Sequence, residues 1–352
     1  MMKRYVYILI LIIASNVLFS QKTQTVITKI AFGSCGDQSK PQPILNLVTK
    51  YSPDIFLYLG DNIYADTKDM DELKAKYDML GAKPEFKKLK ASTKILATWD
   101  DHDFGWNDVG RHYPFKEKSK ELFMNFFEED SASFRRQHEG IYDSYSYGPR
   151  GKRVQIILLD TRTFRDNLRP YAGELKNDSR YFYELDYAPE ISKDSTLLGA
   201  AQWKWLEEQL NMPADIRIIG SSTQFGVEFN GYESWANFPN EQKKMLDMID
   251  KTQAGGVIFL SGDVHYSEMS RIKRDGTYPI YDFTSSGITS TWHFATPNKN
   301  RIEGPVMDNH FGLMTINWNP GQTTIKMECI DVHNNQRFEY NIPLNSIQPG
   351  LE

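Results

Sequence analysis

The sequence predicts an α/β fold in which two sheets and their flanking helices form one domain. Three observations carry this reading. Short apolar, β-branched runs alternate with segments of helical period between residues 26 and 260, the pattern of parallel strands joined by helical crossovers. From Glu268 onward the pattern changes to successive strands, which read as antiparallel hairpins. No repeat, linker or low-complexity stretch divides the chain.

Taken in order, residues 26–32 form a first strand that ends in the tight Gly33-Ser-Cys-Gly36 loop. Ile44, Leu45, Leu47 and Val48 recur at near-helical spacing and predict a covering helix over 41–51. Residues 54–59 are a buried strand followed at once by Gly60-Asp-Asn-Ile-Tyr64, and 69–80 an amphipathic helix. A third strand, 94–98, delivers Trp99-Asp-Asp-His-Asp103. Helices are expected over 116–127, 200–210 and 241–251, and strands over 141–147, 154–159, 216–220 and 256–260. The polar stretch 165–195 has little periodicity and reads as an excursion beside the site. The last strands are expected around 280–284, 312–318, 323–330 and 338–344.

Composition narrows the class. Apolar residues make up 40% and aromatics 13% of the 352 residues, which excludes a disordered chain, and the net charge of −5 offers no general attraction to nucleic acid. Lys3 and Arg4 precede an apolar run broken by Ser15 and Asn16, so residues 1–20 read as a signal peptide rather than a membrane span. The mature chain is then expected to be residues 21–352, exported to the periplasm or beyond, and a monomer. Its two cysteines, Cys35 and Cys329, could form at most one disulfide; Cys329 reads as a buried strand residue and Cys35 has a better use.

That use appears when the residues just past each strand are gathered: Cys35, Asp61 with Tyr64, Asp100 to Asp103, Arg162, Gln224, and Asp263 with His265. Thiolate, carboxylate, phenolate and imidazole are metal-ligand chemistries, and arginine is a preferred partner of phosphate oxygen. Singly, each has a plainer reading. Asp61 could be a turn residue, Tyr64 a core aromatic, Cys35 a small hydrophobe, and Asp100 to Asp103 a helix cap. Asp263 and His265, two apart, would point the same way on an extended segment. Crowded carboxylates at the ligand-binding edge of a sheet need a cation or shared protons.

Several blocks resemble the calcineurin-like metallophosphoesterases, and more closely the PhoD-like (alkaline phosphatase D) family. They are Phe32-Gly-Ser-Cys35, Gly60-Asp-Asn-Ile-Tyr64, Trp99-Asp-Asp-His-Asp103, Leu159-Asp-Thr-Arg162, Gln202-Trp-Lys-Trp-Leu206, Ser261-Gly-Asp-Val-His265 and Thr284-Ser-Ser-Gly287. The resemblance implies a four-layer α/β/β/α sandwich of two mixed sheets flanked by helices, the metallophosphoesterase fold. It also implies a phosphatase or phosphodiesterase using Fe3+ beside Ca2+. On the matching positions, Cys35, Asp61, Tyr64 and His265 would surround the ferric ion, and Asp101, Asp263 and Asn107 the calcium. Arg162 would hold phosphate and His102 act at the leaving group, with Asp100 and Asp103 in support. Many members carry a domain before the catalytic one and leave by the twin-arginine route; here the catalytic domain alone, exported by the ordinary signal route, is expected.

Two other readings share these residues. A phospholipase D-like enzyme would cleave lipid or cell-envelope phosphodiesters instead of small phosphate esters. A non-catalytic module would bind a phosphorylated ligand on an aromatic surface of Tyr171, Tyr181, Tyr183, Trp235, Trp292 and His293. For the enzyme readings Trp292 and His293 are the expected substrate-facing residues.

Overall fold

A computed structural model describes residues 25–173 and 184–350. The expected signal peptide, with Tyr181 and Tyr183, lies outside the described residues. Strand β1 (Lys29–Gly33) leads through helix α1 (Pro43–Lys50) to β2 (Ile55–Leu59), and helices α2 (Met70–Ala82) and α3 (Pro84–Ser92) precede β3 (Lys94–Thr98). The short α4 (Asp101–Phe104), then α5 (Lys116–Phe126) and α6 (Phe134–Gln137), lead to β4 (Asp143–Tyr147) and β5 (Val154–Leu158). A small ribbon, β6 (Arg169–Pro170) and β7 (Tyr187–Ala188), precedes α7 (Gly199–Leu210), β8 (Ile216–Ser221), α8 (Pro239–Lys251) and β9 (Val257–Ser261). Six strands complete the order: β10 (Ser267–Ile272), β11 (Ile280–Ser285), β12 (Arg301–Val306), β13 (His310–Asn317), β14 (Thr324–Asp331) and β15 (Gln336–Pro343).

Two sheets result, one in the order β15-β14-β13-β1-β2-β3 and the other β12-β10-β11-β9-β8-β5-β4. Period-two alternation decides how they stack. In β2, Ile55, Leu57 and Leu59 enter the core shared by the sheets, whereas Phe56 and Tyr58 enter the core beneath α1, α2, α3 and α5. Phe32 of β1 meets Phe283 of β11 edge-on across the sandwich, centroids 5.0 Å apart. Fully burying such a side chain contributes about 1.5–3 kcal/mol. With α7 and α8 packed on the second sheet, the layers are α/β/β/α, as expected.

Pairing departs from the expectation in two places. Strand β11 is antiparallel to β10 but parallel to β9, so it extends the central parallel set. Strand β13 leaves its neighbours in sequence and lies antiparallel to β1, so only β13, β14 and β15 form the expected meander. Alternation reports which face is buried and not which strand lies alongside. Helix α3 was also unforeseen; Pro84 opens it and Phe86 and Leu89 alone are buried, too few apolar positions to register as periodic. The 165–195 excursion is tied down where Asp186 and Tyr187 both donate backbone N–H to the Gly231 carbonyl at 3.0 Å.

Strands β1, β2 and β3 are mutually parallel, as are β5, β8, β9 and β11. Their C-terminal ends share one edge of the sandwich, the edge at which open α/β sheets bind ligands.

Candidate active site

The turns past these strands are backbone-strained where the candidate ligands sit. Cys35 (φ 60°), Asp61 (48°), Asp263 (76°) and His265 (58°) are all left-handed, as are Asp66 (48°) and Asp108 (57°) nearby. For non-glycine residues each such conformation costs on the order of 1 kcal/mol, and surrounding structure must hold it. Asp263 and His265 therefore do not share a face through strand alternation, as their spacing suggested; a left-handed turn aims each one. Gly60, at φ 102°, lets the β2 loop pass Asp100, since a Cβ there would lie 2.6 Å from the Asp100 Cβ.

At the centre, the Cys35 thiol lies 3.3 Å from Asp61 Oδ2, 3.0 Å from Ser286 Oγ and 3.5 Å from the Asp263 carbonyl. Tyr64 Oη is 3.4 Å from His265 Nε2. Donor atoms of Cys35, Asp61 and His265 all fall within 4.8 Å of one another, and so do those of Asp61, Asp101 and His102. Asp61 thus belongs to both groups. Ser286 anchors this centre from just past β11: its hydroxyl accepts the His265 backbone N–H at 2.9 Å, and its own N–H donates to His310 Nε2 at 3.1 Å.

The Asp100 to Asp103 stretch is both a cap and part of the cluster. Asp103 accepts the Asp100 N–H at 2.7 Å, closing the first turn of α4, and takes the Asn62 side-chain amide at 2.5 Å. Asp101 accepts the Asp108 N–H at 2.6 Å, while its Oδ1 has no hydrogen-bond partner. His102 Nδ1 meets both carboxylate oxygens of Asp66 at 2.7 and 2.9 Å. The loop beneath is fixed by Asp160, which accepts from Trp99 Nε1 at 3.0 Å and is held by Gln202 through backbone bonds of 2.9 and 2.8 Å. Trp99, Asp160 and Gln202 are therefore scaffold of the edge rather than its chemistry.

Arg162 departs from its expected position against phosphate. Its side chain is 0% exposed; Nη1 donates to both Glu233 oxygens at 3.0 and 2.8 Å, and Asp100 and Asp101 flank Nη2. Arg165 adds a 3.1 Å pair to Glu233. Asn107 also sits apart: it is exposed and donates to Asp108 Oδ2 at 2.8 Å. Asp108 in turn forms a third close carboxylate group with Asp101 and Glu233. Trp292 stacks on His265 at 5.4 Å and 18°, whereas His293 beside it is exposed. Trp235 is fully buried and cannot belong to a binding surface, and Gln224 is spent inside the protein on Glu268 and Thr284.

Electrostatics mark the centre as a cation's place. Burial, then the Cys35 and Asp101 charges, push the Asp61 carboxyl well above its usual range, and burial raises the Cys35 thiol. Burial and then Asp100, Glu233 and Asp101 do the same to Asp263. Asp101 goes the other way: against its burial, the Arg162 and His102 charges hold it down. Burial would lower His102, yet its Asp66 hydrogen bond and the Asp61 and Asp101 charges push it up to about 10. His265 is held neutral by burial, down to about 4. Asp61 Oδ1, Asp100 Oδ2 and Asp101 Oδ1 are buried without a hydrogen-bond partner. Buried acceptors left so are costly, and a thiol, phenol, imidazole and carboxylates around them fit a metal ion.

Sequence reading missed Asp66, Asp108 and Glu233. Asp66 and Asp108 lie two and five residues beyond the Gly60–Tyr64 and Trp99–Asp103 blocks, and Glu233 lies deep in the loop after β8, so none is the first polar residue past its strand; the left-handed backbone at Asp66 and Asp108 is what the structure adds.

The chain is also similar to known proteins. Alkaline phosphatase D of Bacillus subtilis (strain 168) is 23% identical over 288 residues, covering 68% of this chain and 45% of that protein, so the chain spans about half the length of this curated relative. Among solved structures, one described as the structure of PhoD superposes with a TM-score of 0.70 at 17% identity, covering 94% of this chain and 72% of that one. GAP50, described as the anchor in the inner membrane complex of Plasmodium, reaches a TM-score of 0.56 at 12% identity over 92% of this chain and 90% of its own. These two likenesses establish the fold. The PhoD-like phosphatase profile matches residues 33–327, most of the described chain, and the protein belongs to that family.

Proposed function

We propose that the protein is an exported, metal-dependent phosphoric ester hydrolase of alkaline phosphatase D type, with residues 21–352 as its single catalytic domain. The observation that carries this is the convergence of Cys35, Asp61 and His265 within 4.8 Å around a buried Asp61 oxygen that has no partner. Cys35, Asp61, Tyr64 and His265 would hold a ferric ion, whose charge suits thiolate and phenolate. Asp61, Asp101 and Asp263 would hold calcium, which prefers oxygen, while Asn107 is turned to Asp108. When bound, such a pair polarises the phosphoryl group of a phosphate ester.

This chain's own residues supply the rest. His102 is the proton donor to the leaving oxygen, its Nδ1 held by Asp66 so that Nε2 carries the proton to be given. Asp100 and Asp103 fix the turn that presents His102. Arg162, sealed among Asp100, Asp101 and Glu233, keeps those carboxylates in place.

A second reading, phospholipase D-like action on lipid or cell-envelope phosphodiesters, has one observation in its favour. Trp292 lies between near-parallel contacts to His265 (18°) and Phe294 (16°), a half-buried aromatic wall suited to an apolar substituent. The non-catalytic reading has none, because no ligand position is broken.

The test is to load the full chain with ferric and calcium ions and assay a panel of phosphomonoesters and phosphodiesters. Hydrolysis is expected, and is expected to vanish in Asp61→Asn without loss of fold. Inertness of the loaded protein toward the whole panel would sink the hydrolase reading. Export is tested separately by sequencing the N-terminus of the secreted form, expected near Gln21.

A further inference from the structure

Arg162 and Arg165 are both enclosed by protein, so neither meets an anionic substrate at the mouth of the site. Lys40, in the loop between Cys35 and α1, stands there. Its side chain is 51% exposed, and its ammonium rests on two long contacts, 3.5 Å to Asp37 Oδ2 and 3.5 Å to Ser290 Oγ. Ser290 lies between Thr289, whose backbone N–H donates to the Cys35 carbonyl at 3.1 Å, and Trp292, whose N–H donates to the His265 carbonyl at 3.0 Å. The segment that carries Ser290 is therefore tied to two candidate metal ligands, and the ammonium rests on it. The backbone at Lys40 is pinned, its carbonyl taking Lys83 Nζ at 2.7 Å, while contacts at the limit of hydrogen-bonding range leave the tip able to turn.

We propose that Lys40 is a specificity-determining residue of this site, its ammonium taking the additional anionic oxygen of a dianionic phosphate ester, so that phosphomonoesters are favoured over diesters. The inference rests on the hydrolase reading above. Near neutral pH a monoester carries close to two negative charges, because its second pKa is about 6, whereas a diester carries one. Asp61 and Asp101 lie buried beneath that mouth and Asp263 is half-buried, so a second anionic charge on the ligand gains from a cation of the protein's own. A charged hydrogen bond of this kind is worth roughly tenfold in affinity.

The experiment titrates inorganic phosphate and dimethyl phosphate, by calorimetry, into the full chain loaded with ferric and calcium ions. Lys40→Ala is expected to weaken phosphate binding roughly tenfold and dimethyl phosphate binding less than about twofold, and Lys40→Arg to restore phosphate binding. Equal weakening of both ligands, an unchanged phosphate affinity, or no phosphate binding by the unaltered protein overturns the proposal. Ester hydrolysis measured in parallel separates the two readings. An active enzyme whose monoester KM is unmoved by Lys40→Ala defeats this inference alone. An inert protein that still loses phosphate on Lys40→Ala defeats the hydrolase reading and leaves the anion contact standing.

Discussion

His102 Nδ1 sits 2.7 and 2.9 Å from the two oxygens of the Asp66 carboxylate, and the imidazole rests against the Tyr64 ring with centroids 4.3 Å apart. Two bonds to one nitrogen and a ring on one face leave the imidazole a single orientation. Asp66 is thus to His102 what an orienting carboxylate is to any acid or base catalyst.

Asp66→Ala is accordingly expected to lower kcat about 10- to 100-fold on an alkyl phosphate, whose leaving oxygen must be protonated. On p-nitrophenyl phosphate, whose phenolate leaves without a proton, the loss should be much smaller. Steady-state kinetics on the two substrates decide it; equal losses would mean that the pair merely holds the loop.

Metal loading gives a second prediction. Cys35→Ser and Asp61→Asn should each reduce bound iron, measured by elemental analysis, because each removes a donor from the same 4.8 Å group. Tyr64→Phe should abolish the visible phenolate-to-ferric absorption even where iron is retained. Stripping the metals should end hydrolysis and lower the melting temperature, since an ion held at a hundred times its Kd stabilises by about 2.7 kcal/mol. An iron-free, colourless protein that hydrolyses esters unaided would contradict all three.

Gly60→Ala is expected to destabilise the fold by about 2 kcal/mol or more. The residue stands at φ 102°, and the added Cβ would meet the Asp100 Cβ at 2.6 Å and the Asp100 backbone nitrogen at 2.9 Å. Urea unfolding measures it; a change within about 0.5 kcal/mol, typical of surface sites, would refute the close approach.

His310 makes stability depend on pH. It is buried and neutral, with Nδ1 2.7 Å from the Asp308 carbonyl and Nε2 accepting the Ser286 N–H at 3.1 Å, so a second ring proton has nowhere to go. Burial, the largest effect, lowers it from an ordinary 6.5 to about 4. The unfolded chain therefore binds more protons between those values, and stability is full above about 6.5 and falls as pH drops toward 4. The loss is on the order of 3 kcal/mol. His310→Gln should flatten this part of the urea-unfolding profile; an unchanged slope would assign it to other groups.

The sequence alone determined the layers and the edge. Alternation in stretches such as Ile55 to Leu59 states which side chains are buried on which face, and strand-helix order implies parallel pairing with loops on one side. Cys35, Asp61, Asp101 and His265 were therefore legible as neighbours before any coordinate was known. Partners of β11 and β13 were not, because hydrophobic pattern fixes burial and register but not the adjacent strand. Nor were Asp66, Asp108 and Glu233, which reach the site from loops whose course is set by tertiary contacts. For Arg162 the sequence supplied a cation near phosphate, and the packing of Asp100, Asp101 and Glu233 around it decided otherwise. A charge placed among buried carboxylates is claimed by them, and that outcome depends on distances in three dimensions that no motif records.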